Sequence, residues 1–430
     1  MPPTVEELLR LIDAQQKLID EQGRRIDALQ KRLDDLTSHS GAATDGQQSQ
    51  PVSDPRGKEP EAPADVVREG EFPGSFKIPG SDAAFKLGGL VRVNWVTTLD
   101  PLLVDDRFIT ADIPVDVAGA PVSGRVDVMA IPSRFNFDLR TPTGVGYMRA
   151  YLEADFAGSG NTLRLRHAFG QWRNLLFGQT WSTFADPEAE PDGIDFEGLN
   201  AIVRFRQPQV RWTWPTTGRV RVALGLENPT VEIAGLTAAS RRPDFIARLR
   251  WQAHDEQHLQ AAVLVRELRG FPSDASANIV GANGWGATAS GRWPSPLWSE
   301  QDRLLFQVTG GAGIGHYITD LTAAKDQDGV YDAATNTVQL LHALSGFAGY
   351  EHWWTDRFHS TVAAGGVLVR NPGIQSGDAY HLTRRYSTNV IWSPMPKLDL
   401  VTEFLTGIRI NKDDHRERAS QIQVGSTFRF

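Results

Sequence analysis

The spacing of hydrophobic residues changes once along the chain and divides it into two unlike parts. In the first part Val5, Ile12, Ile19, Ile26 and Leu33 recur every seven residues, with Leu or Gln at the second seam position of each heptad. A seven-residue hydrophobic repeat is typical of a coiled coil. Residues 1–37 are therefore predicted to form a coiled-coil oligomerisation helix, and further leucines that flank the seam favour three or more strands in that coil.

The segment 38–84 that follows is predicted to be a flexible linker. It carries repeated proline, glutamine and serine and, up to Pro73, almost no bulky apolar residue. Such a composition cannot bury a core and is typical of a partly extended tether.

From Phe85 to the C-terminus hydrophobic and polar residues alternate with a period of two, which predicts β-strands. Phe135, Phe137 and Leu139, for example, alternate with polar or charged neighbours. We mark sixteen such runs and predict that they form one domain, 85–430. The runs are 85–97, 133–141, 145–157, 163–174, 175–184, 199–215, 219–228, 243–253, 257–270, 283–293, 302–318, 338–354, 358–370, 381–393, 398–410 and 418–430.

The connections between these runs alternate in length. Short turns such as 141–144 and 215–218 alternate with long segments such as 98–132, 185–198 and 319–337. An even number of strands with short turns at one end and long loops at the other is typical of a bacterial outer-membrane barrel. The predicted fold class is therefore an all-β transmembrane barrel, a sixteen-stranded antiparallel outer-membrane porin barrel preceded by the α-helical coiled coil.

The aromatic residues support a membrane position for this barrel. Seven tryptophans lie beside the short-turn ends of the runs, where amphipathic rings meet the membrane interface. Outer-membrane lipid and lipopolysaccharide are accordingly predicted partners. The last run ends at Phe430, a terminus that resembles the signal read by the β-barrel assembly machinery, which is a further predicted partner. The tryptophans are Trp172, Trp214, Trp251, Trp293, Trp298, Trp354 and Trp392.

Composition and charge exclude other classes. The 430 residues include no cysteine, so disulfide and cysteine-based metal or redox sites are excluded. The formal charge of −8 gives no reason to expect nucleic acid. The expected location is the outer membrane of a Gram-negative bacterium, with the coiled coil in the periplasm. Because Met1 leads directly into charged residues without an apolar export signal, the sequence is expected to be a mature form.

Motifs for catalysis are lacking, whereas arginine is abundant in the first eight runs. No nucleophile elbow, zinc-protease motif or phosphate-binding loop is present, so we expect neither an enzyme nor a metal or cofactor. An arginine on the lipid side at mid-membrane costs roughly 2–4 kcal/mol, so these arginines are predicted to line the pore. The predicted pore-lining set is Arg92, Arg134, Arg149, Arg164, Arg166, Arg204, Arg206, Arg211, Arg221, Arg248 and Arg250.

The third long loop, 185–198, is acidic. It follows the fifth run, where porins fold a loop into the lumen, and it is predicted to form the constriction. An acidic loop facing a basic wall would set a transverse field across a narrow aperture. The alternative is that the loop lies outside the barrel, neutralised by divalent cations. Its carboxylates are Asp186, Glu188, Glu190, Asp192, Asp195 and Glu197.

The chain also resembles the DcaP-like porins over essentially its whole length. The most specific stretches are Gly74–Gly80, Pro132–Phe137, Phe177–Phe184, Asp195–Gly198 and Arg206–Val210. This resemblance implies a homotrimeric diffusion channel for small anions, dicarboxylates among them. A different hypothesis is a structural anchor whose coiled coil tethers the outer membrane towards the periplasm or cell wall.

Overall fold

The fold is taken from a computed structural model. The residues it describes are 69–119, 121–214, 218–254, 257–272, 278–325 and 327–430. The predicted coiled coil, 1–37, lies outside these residues, as does the first part of the predicted linker. None of the described helices is both long and apolar enough to cross a membrane.

The described chain forms a closed, antiparallel barrel of sixteen strands. The last strand closes on the first with pairs from Leu90↔Arg429 to Thr98↔Gln421, and the amide of Phe430 donates to the carbonyl of Gly89 at 3.1 Å. The strands are β1 Ala84–Thr98, β2 Arg125–Met129 with Arg134–Thr143, β3 Gly146–Asp155, β4 Arg164–Trp172, β5 Leu175–Trp181, β6 Arg206–Thr213, β7 Val220–Glu227, β8 Asp244–His254, β9 Gln257–Pro272, β10 Val280–Pro294, β11 Arg303–Ala312, β12 His342–Thr355, β13 Phe358–Arg370, β14 Tyr380–Met395, β15 Leu398–Asn411 and β16 Arg416–Arg429.

Smaller elements lie at the rims and within the loops. Two short strands extend the barrel sheet and three form a separate sheet; one short α-helix and four 3-10 turns complete the described elements. These are the strands Phe76–Lys77 and Leu236–Ala238, the sheet of Ile233–Ala234, Gly329–Asp332 and Thr337–Leu340, helix α1 Thr319–Ala324, and the 3-10 turns Thr110–Asp112, Ser159–Asn161, Pro187–Ala189 and Gly315–Tyr317.

Most of the sixteen predicted runs correspond closely to strands. Arg125–Met129 of β2 was instead predicted as part of the connection 98–132, and the run 338–354 takes in part of Thr337–Leu340 in the separate sheet. Two other runs are much too long. In the run predicted at 199–215 the strand begins only at Arg206, and in the run at 302–318 it ends at Ala312. Both excess segments are apolar because they pack inside the barrel, so their hydrophobicity is that of a core and not of a strand. Gly313 turns the chain inward with a φ of +69°, a conformation that favours glycine.

The outward face of the barrel is apolar, as the alternation predicts. Val91, Val93 and Trp95 on β1 are exposed, whereas Asn94 and Val96 between and after them are buried. The seven predicted interface tryptophans lie at or beside the short-turn ends, and six of them are exposed. Trp251 stacks on Trp293 with ring centroids 6.0 Å apart.

Residues 69–83 were predicted to belong to the flexible linker. In the structure they pack against the short-turn end of the barrel. Phe72 lies under the guanidinium of Arg140 at 4.1 Å, and Lys86 donates to the carbonyl of Pro73 at 3.0 Å. Tyr147 donates to Glu71 at 3.0 Å. These contacts anchor the chain just before β1 begins.

One side of the barrel interior is filled by a hydrophobic core, which the sequence pattern did not predict. Three connections fold inward: loop 1 (99–124), loop 3 (182–205) and loop 6 (313–341). Their apolar residues, among them Phe184, Ile202 and Leu321, pack against inward-facing residues of β8, β9 and β12–β14, such as Ile246 and Val367. We call this side the packed half. Beside it lies a polar cavity lined by loop 3 and by residues of β1, β2, β4 and β13–β15.

Candidate functional site

Loop 3 begins by crossing to the wall of β8–β10. The Asp186 side chain is fully buried there, 2.9 Å from His258 Nε2 and 2.7 Å from Ser290 Oγ, with Arg250 Nη1 at 3.3 Å. Burial alone would raise the pKa of Asp186, but the bonds to His258 and Ser290 and the charge of Arg250 lower this pKa below its usual value. Arg250 also pairs with Glu188. This part of the loop is thus fixed by charge-assisted bonds.

The middle of loop 3 is held by its backbone. Glu403 on β15 accepts from the amides of Ile194 (2.7 Å) and Asp195 (3.1 Å). Glu351 on β12 accepts from the amide of Asp192 at 2.9 Å, and Asn389 on β14 donates to the carbonyl of Asp192 at 2.7 Å. We call these contacts the backbone clamp. They fix the loop against the wall opposite to β2–β4.

The other side of the lumen carries inward-facing arginines of β1–β4 and Arg204 of loop 3. We call this set the arginine wall: Arg92, Arg134, Arg140, Arg149, Arg164, Arg166 and Arg204. Three carboxylates on β2 and β3 position five of the arginines, so two positive charges in this group are not neutralised. The pairs and their N···O distances are Asp138 with Arg140 (2.8 Å) and Arg149 (2.9 Å), Glu153 with Arg134 (3.6 Å) and Arg166 (2.6 Å), and Asp155 with Arg164 (2.7 Å) and Arg166 (2.8 Å).

Arg92 on β1 adds to the positive excess. Its Nε donates to Thr427 Oγ1 at 3.0 Å, and within the described part of the chain it has no carboxylate partner. Arg204 pairs with Glu190 at 2.9 Å and donates to the Glu197 carbonyl at 3.2 Å.

The arginine wall and loop 3 enclose a polar cavity of about 230 Å³. We call it the passage. Arg92, Arg134, Arg166 and Arg204 line it from the wall, and loop 3 lines it from the other side with Glu190, Asp192, Asp195 and Phe196. Arg385 of β14 and Glu403 of β15 complete the charged lining. Basic and acidic groups therefore face one another across a narrow space. Such an arrangement produces a transverse field that orients charged solutes.

The predicted pore-lining arginines fall into three places. Arg92, Arg134, Arg149, Arg164 and Arg166 face inward on β1–β4. Four more face inward on β6–β8: Arg211, Arg221, Arg248 and Arg250.

The other two predicted arginines, Arg204 and Arg206, are not in the middle of a strand as expected. Arg204 belongs to loop 3, and Arg206 opens β6 at the rim, stacked 4.4 Å over the Trp181 ring. The excess length of the predicted run 199–215 caused this misplacement.

The six predicted loop carboxylates do not act as one acidic surface. Asp186, Asp192 and Asp195 are bonded to the wall, with Asp195 2.8 Å from Arg385. Glu190 and Glu197 point towards basic side chains instead. Burial raises the pKa of Glu197 above its usual value, although Arg107, 3.9 Å away, opposes the rise.

Several residues at this site were missed from the sequence. The positioning carboxylates Asp138, Glu153 and Asp155 alternate with outward apolar residues, so their inward placement could have been read from the pattern. Glu403 and Glu351 could not, because their partners in loop 3 are more than 150 residues away. Among the described residues no cluster of His, Asp or Glu could hold a metal ion.

A closed barrel of sixteen antiparallel strands with a loop folded into its lumen defines the class of outer-membrane porins. The outer membrane channel DcaP of Acinetobacter baumannii is a solved structure of similar fold, with a TM-score of 0.72, 21% identity and coverage of 83% of this chain and 100% of that one. The anion-selective porin of Comamonas acidovorans gives a TM-score of 0.52 at 11% identity, covering 81% of this chain and 100% of that one. OmpT of Vibrio cholerae gives 0.51 at 10% identity, covering 82% and 99%.

The family follows from the sequence itself. The model of the DcaP outer membrane protein family matches residues 78–430, so this chain belongs to that family of outer-membrane channels. A search of curated proteins finds no match to the chain.

Proposed function

We propose that this protein is a passive diffusion channel that prefers small anions, dicarboxylates among them. The observation that carries the proposal is the positive excess of the arginine wall, part of which lines the passage: five arginines share three carboxylates, and Arg92 has no carboxylate partner in the described chain. Guanidinium groups suit carboxylates because their planar fork donates two parallel hydrogen bonds.

Conduction also requires that an anion can leave. The arginines of the passage are partly neutralised by Glu153, Asp155 and Glu190, which keeps each binding step weak. Below loop 3, the arginines of β6–β8 continue the basic surface towards the short-turn end. A solute with two carboxylates can hold one arginine while it reaches the next, and such multi-site binding favours transit over capture.

Succinate flux into liposomes tests this proposal. Replacing both Arg92 and Arg134 with Gln should lower succinate flux relative to glucose flux. The matched control replaces Arg269 and Arg357 with Gln. This change removes the same amount of charge outside the lumen and should leave the ratio of succinate to glucose flux unchanged. An unchanged ratio in the Arg92 and Arg134 variant would contradict the assignment of these arginines to the path.

The homotrimer is proposed as well. Strands β3–β7 have only 7 to 10 residues, whereas β12–β16 have 13 to 16. On the short strands the outward residues Leu165, Phe177 and Val210 are exposed and apolar. A neighbouring copy would cover this low wall. The mass of the full chain in mild detergent should equal three copies, also after removal of residues 1–68. A monomer in the truncated chain would assign assembly to the first part of the chain.

A further inference from the structure

Four arginines form an exposed basic patch on the outward face of β13–β16, close to the long-loop end. They are Arg370, Arg384, Arg416 and Arg418. In the register, Arg384 pairs with Ile408, which pairs with Arg418, so Arg384 and Arg418 lie on one row, two strands apart. At the usual strand spacing this separation is about 10 Å.

The patch has no partner in the described part of the chain: none of its four guanidinium groups forms an ion pair or a hydrogen bond there. An arginine on the lipid face costs roughly 2–4 kcal/mol at mid-membrane but only about 0–1 kcal/mol near the interface. Four unpaired arginines therefore belong at the level of the lipid headgroups. An anionic headgroup would complete their hydrogen bonding.

An apolar groove begins directly below Arg370. It is a cavity of about 550 Å³ on the outward face of β10–β13, with Arg370 and His342 at its upper end. Trp285, Leu344 and Leu368 form its sides, and Ala287 and Gly310 leave its floor without large side chains. A groove of this composition accepts a hydrocarbon chain.

We propose that this face binds one molecule of lipid A, the phosphorylated glycolipid anchor of lipopolysaccharide. Its phosphates contact Arg370, Arg384 and Arg418, and one of its acyl chains lies in the groove. The proposal rests on the proposed function as an outer-membrane channel. Barrels of that class carry short turns on the periplasmic side and long loops on the outside, and this orientation places the patch in the outer leaflet.

Lipid A fits this surface better than a phospholipid does. Arg384 on β14 and Arg418 on β16 are about 10 Å apart, which matches a headgroup that carries phosphates at two ends of a disaccharide. A phospholipid presents a single phosphate and could engage only one side of the patch. Arginine also recognises phosphate through paired hydrogen bonds, which a lysine patch would not provide.

Lipid binding to the purified full chain in mild detergent tests the proposal by native mass measurement. The probes are lipid A, dephosphorylated lipid A and phosphatidylglycerol. The variants are Arg384→Ala with Arg418→Ala, and Gly310→Leu, which fills the groove. The matched control is Arg241→Ala with Arg242→Ala, two exposed arginines of the loop between β7 and β8.

Lipid A should bind the wild type and the control equally, and the Arg384 and Arg418 variant about tenfold or more weakly because two phosphate contacts are lost. Gly310→Leu should also weaken lipid A binding, and conduction in every variant reports that the barrel has folded. Undiminished binding to the Arg384 and Arg418 variant, or equal binding of phosphatidylglycerol or dephosphorylated lipid A to the wild type, would overturn the proposal. Failure of anion conduction with lipid A binding intact would count against the proposed function alone.

Discussion

At the scale of single residues, the arginine wall depends on carboxylates as much as on arginines. Asp155 fixes both Arg164 and Arg166, and Glu153 fixes Arg166 while drawing Arg134 towards it. An arginine side chain loses conformational entropy when it is held in one rotamer. Its charge-assisted hydrogen bond to a neighbouring carboxylate offsets that loss before a solute binds. The wall therefore presents preorganised guanidinium groups, at the expense of part of its positive charge.

Glu197, which lies beside the passage next to Arg164, Arg166 and Arg204, makes the charge near the arginine wall dependent on pH. Its raised pKa means that Glu197 loses its negative charge at a less acidic pH than an ordinary glutamate, whereas Asp186 and Asp192, with lowered pKa values, remain ionised. Neutral Glu197 leaves Arg107 and Arg204 less compensated. The preference for anions should therefore increase as the pH falls below neutral, and it should do so at a less acidic pH than an ordinary glutamate would allow.

Reversal potentials measured between pH 7.5 and 4.5 check this dependence. Replacing Glu197 with Gln should raise the anion preference at pH 7.5 and flatten its change with pH. Replacing Glu417, which is exposed at the end of β16, should leave the pH profile as in the wild type. A profile that is equally steep in the Glu197 variant would show that other groups cause it.

At the scale of elements, loop 3 owes its position to the backbone clamp. Glu403 accepts two amides of the loop, those of Ile194 and Asp195. Replacing Glu403 with Ala leaves two buried amides without acceptors, a loss of about 1–3 kcal/mol each. Single-channel currents should then be noisier and larger, because this part of the loop is free to move away from the arginine wall.

The corresponding control is Glu417→Ala, which removes a carboxylate that makes no bond to loop 3. Its currents should match those of the wild type in amplitude and noise. If the Glu403 variant gave the same quiet current as this control, the clamp would not be what holds the constriction.

The elements differ in how far the sequence predicted them. Strands such as β13 and β15 were placed almost to the residue, because lipid on one side and the lumen on the other enforce alternation. Segments 199–205 and 313–318 were misread as strand because their apolar residues fill the barrel interior. The contact of Asp186 with His258, 72 positions later, depends on the folded loop and leaves no local pattern.

At the scale of the whole molecule, the barrel interior has two sides with different tasks. The packed half behaves like the core of a soluble protein, with Phe184 fully buried and its ring 5.6 Å from that of Tyr317. Replacing Phe184 with Ala should cost about 3–5 kcal/mol of unfolding free energy. The unfolding temperature and the urea concentration at the unfolding midpoint should fall accordingly. Both can be measured from the gel mobility of the barrel, which differs between its folded and unfolded forms.

The same Phe184 variant should keep the ion selectivity of the wild type at temperatures where it stays folded, because Phe184 does not line the passage. Phe177→Ala, an outward-facing change of the same size on β5, is the control for loss of a phenyl ring. A Phe184 variant of unchanged stability would contradict the packed half as a stabilising core.

The central claim is that the arginine wall makes the channel prefer anions, and the reversal potential of the wild-type chain in a planar bilayer tests it most directly. Across a tenfold gradient of potassium chloride, the account predicts a potential whose sign reports chloride as the more permeant ion. A potential of the opposite sign, with potassium more permeant, would contradict it.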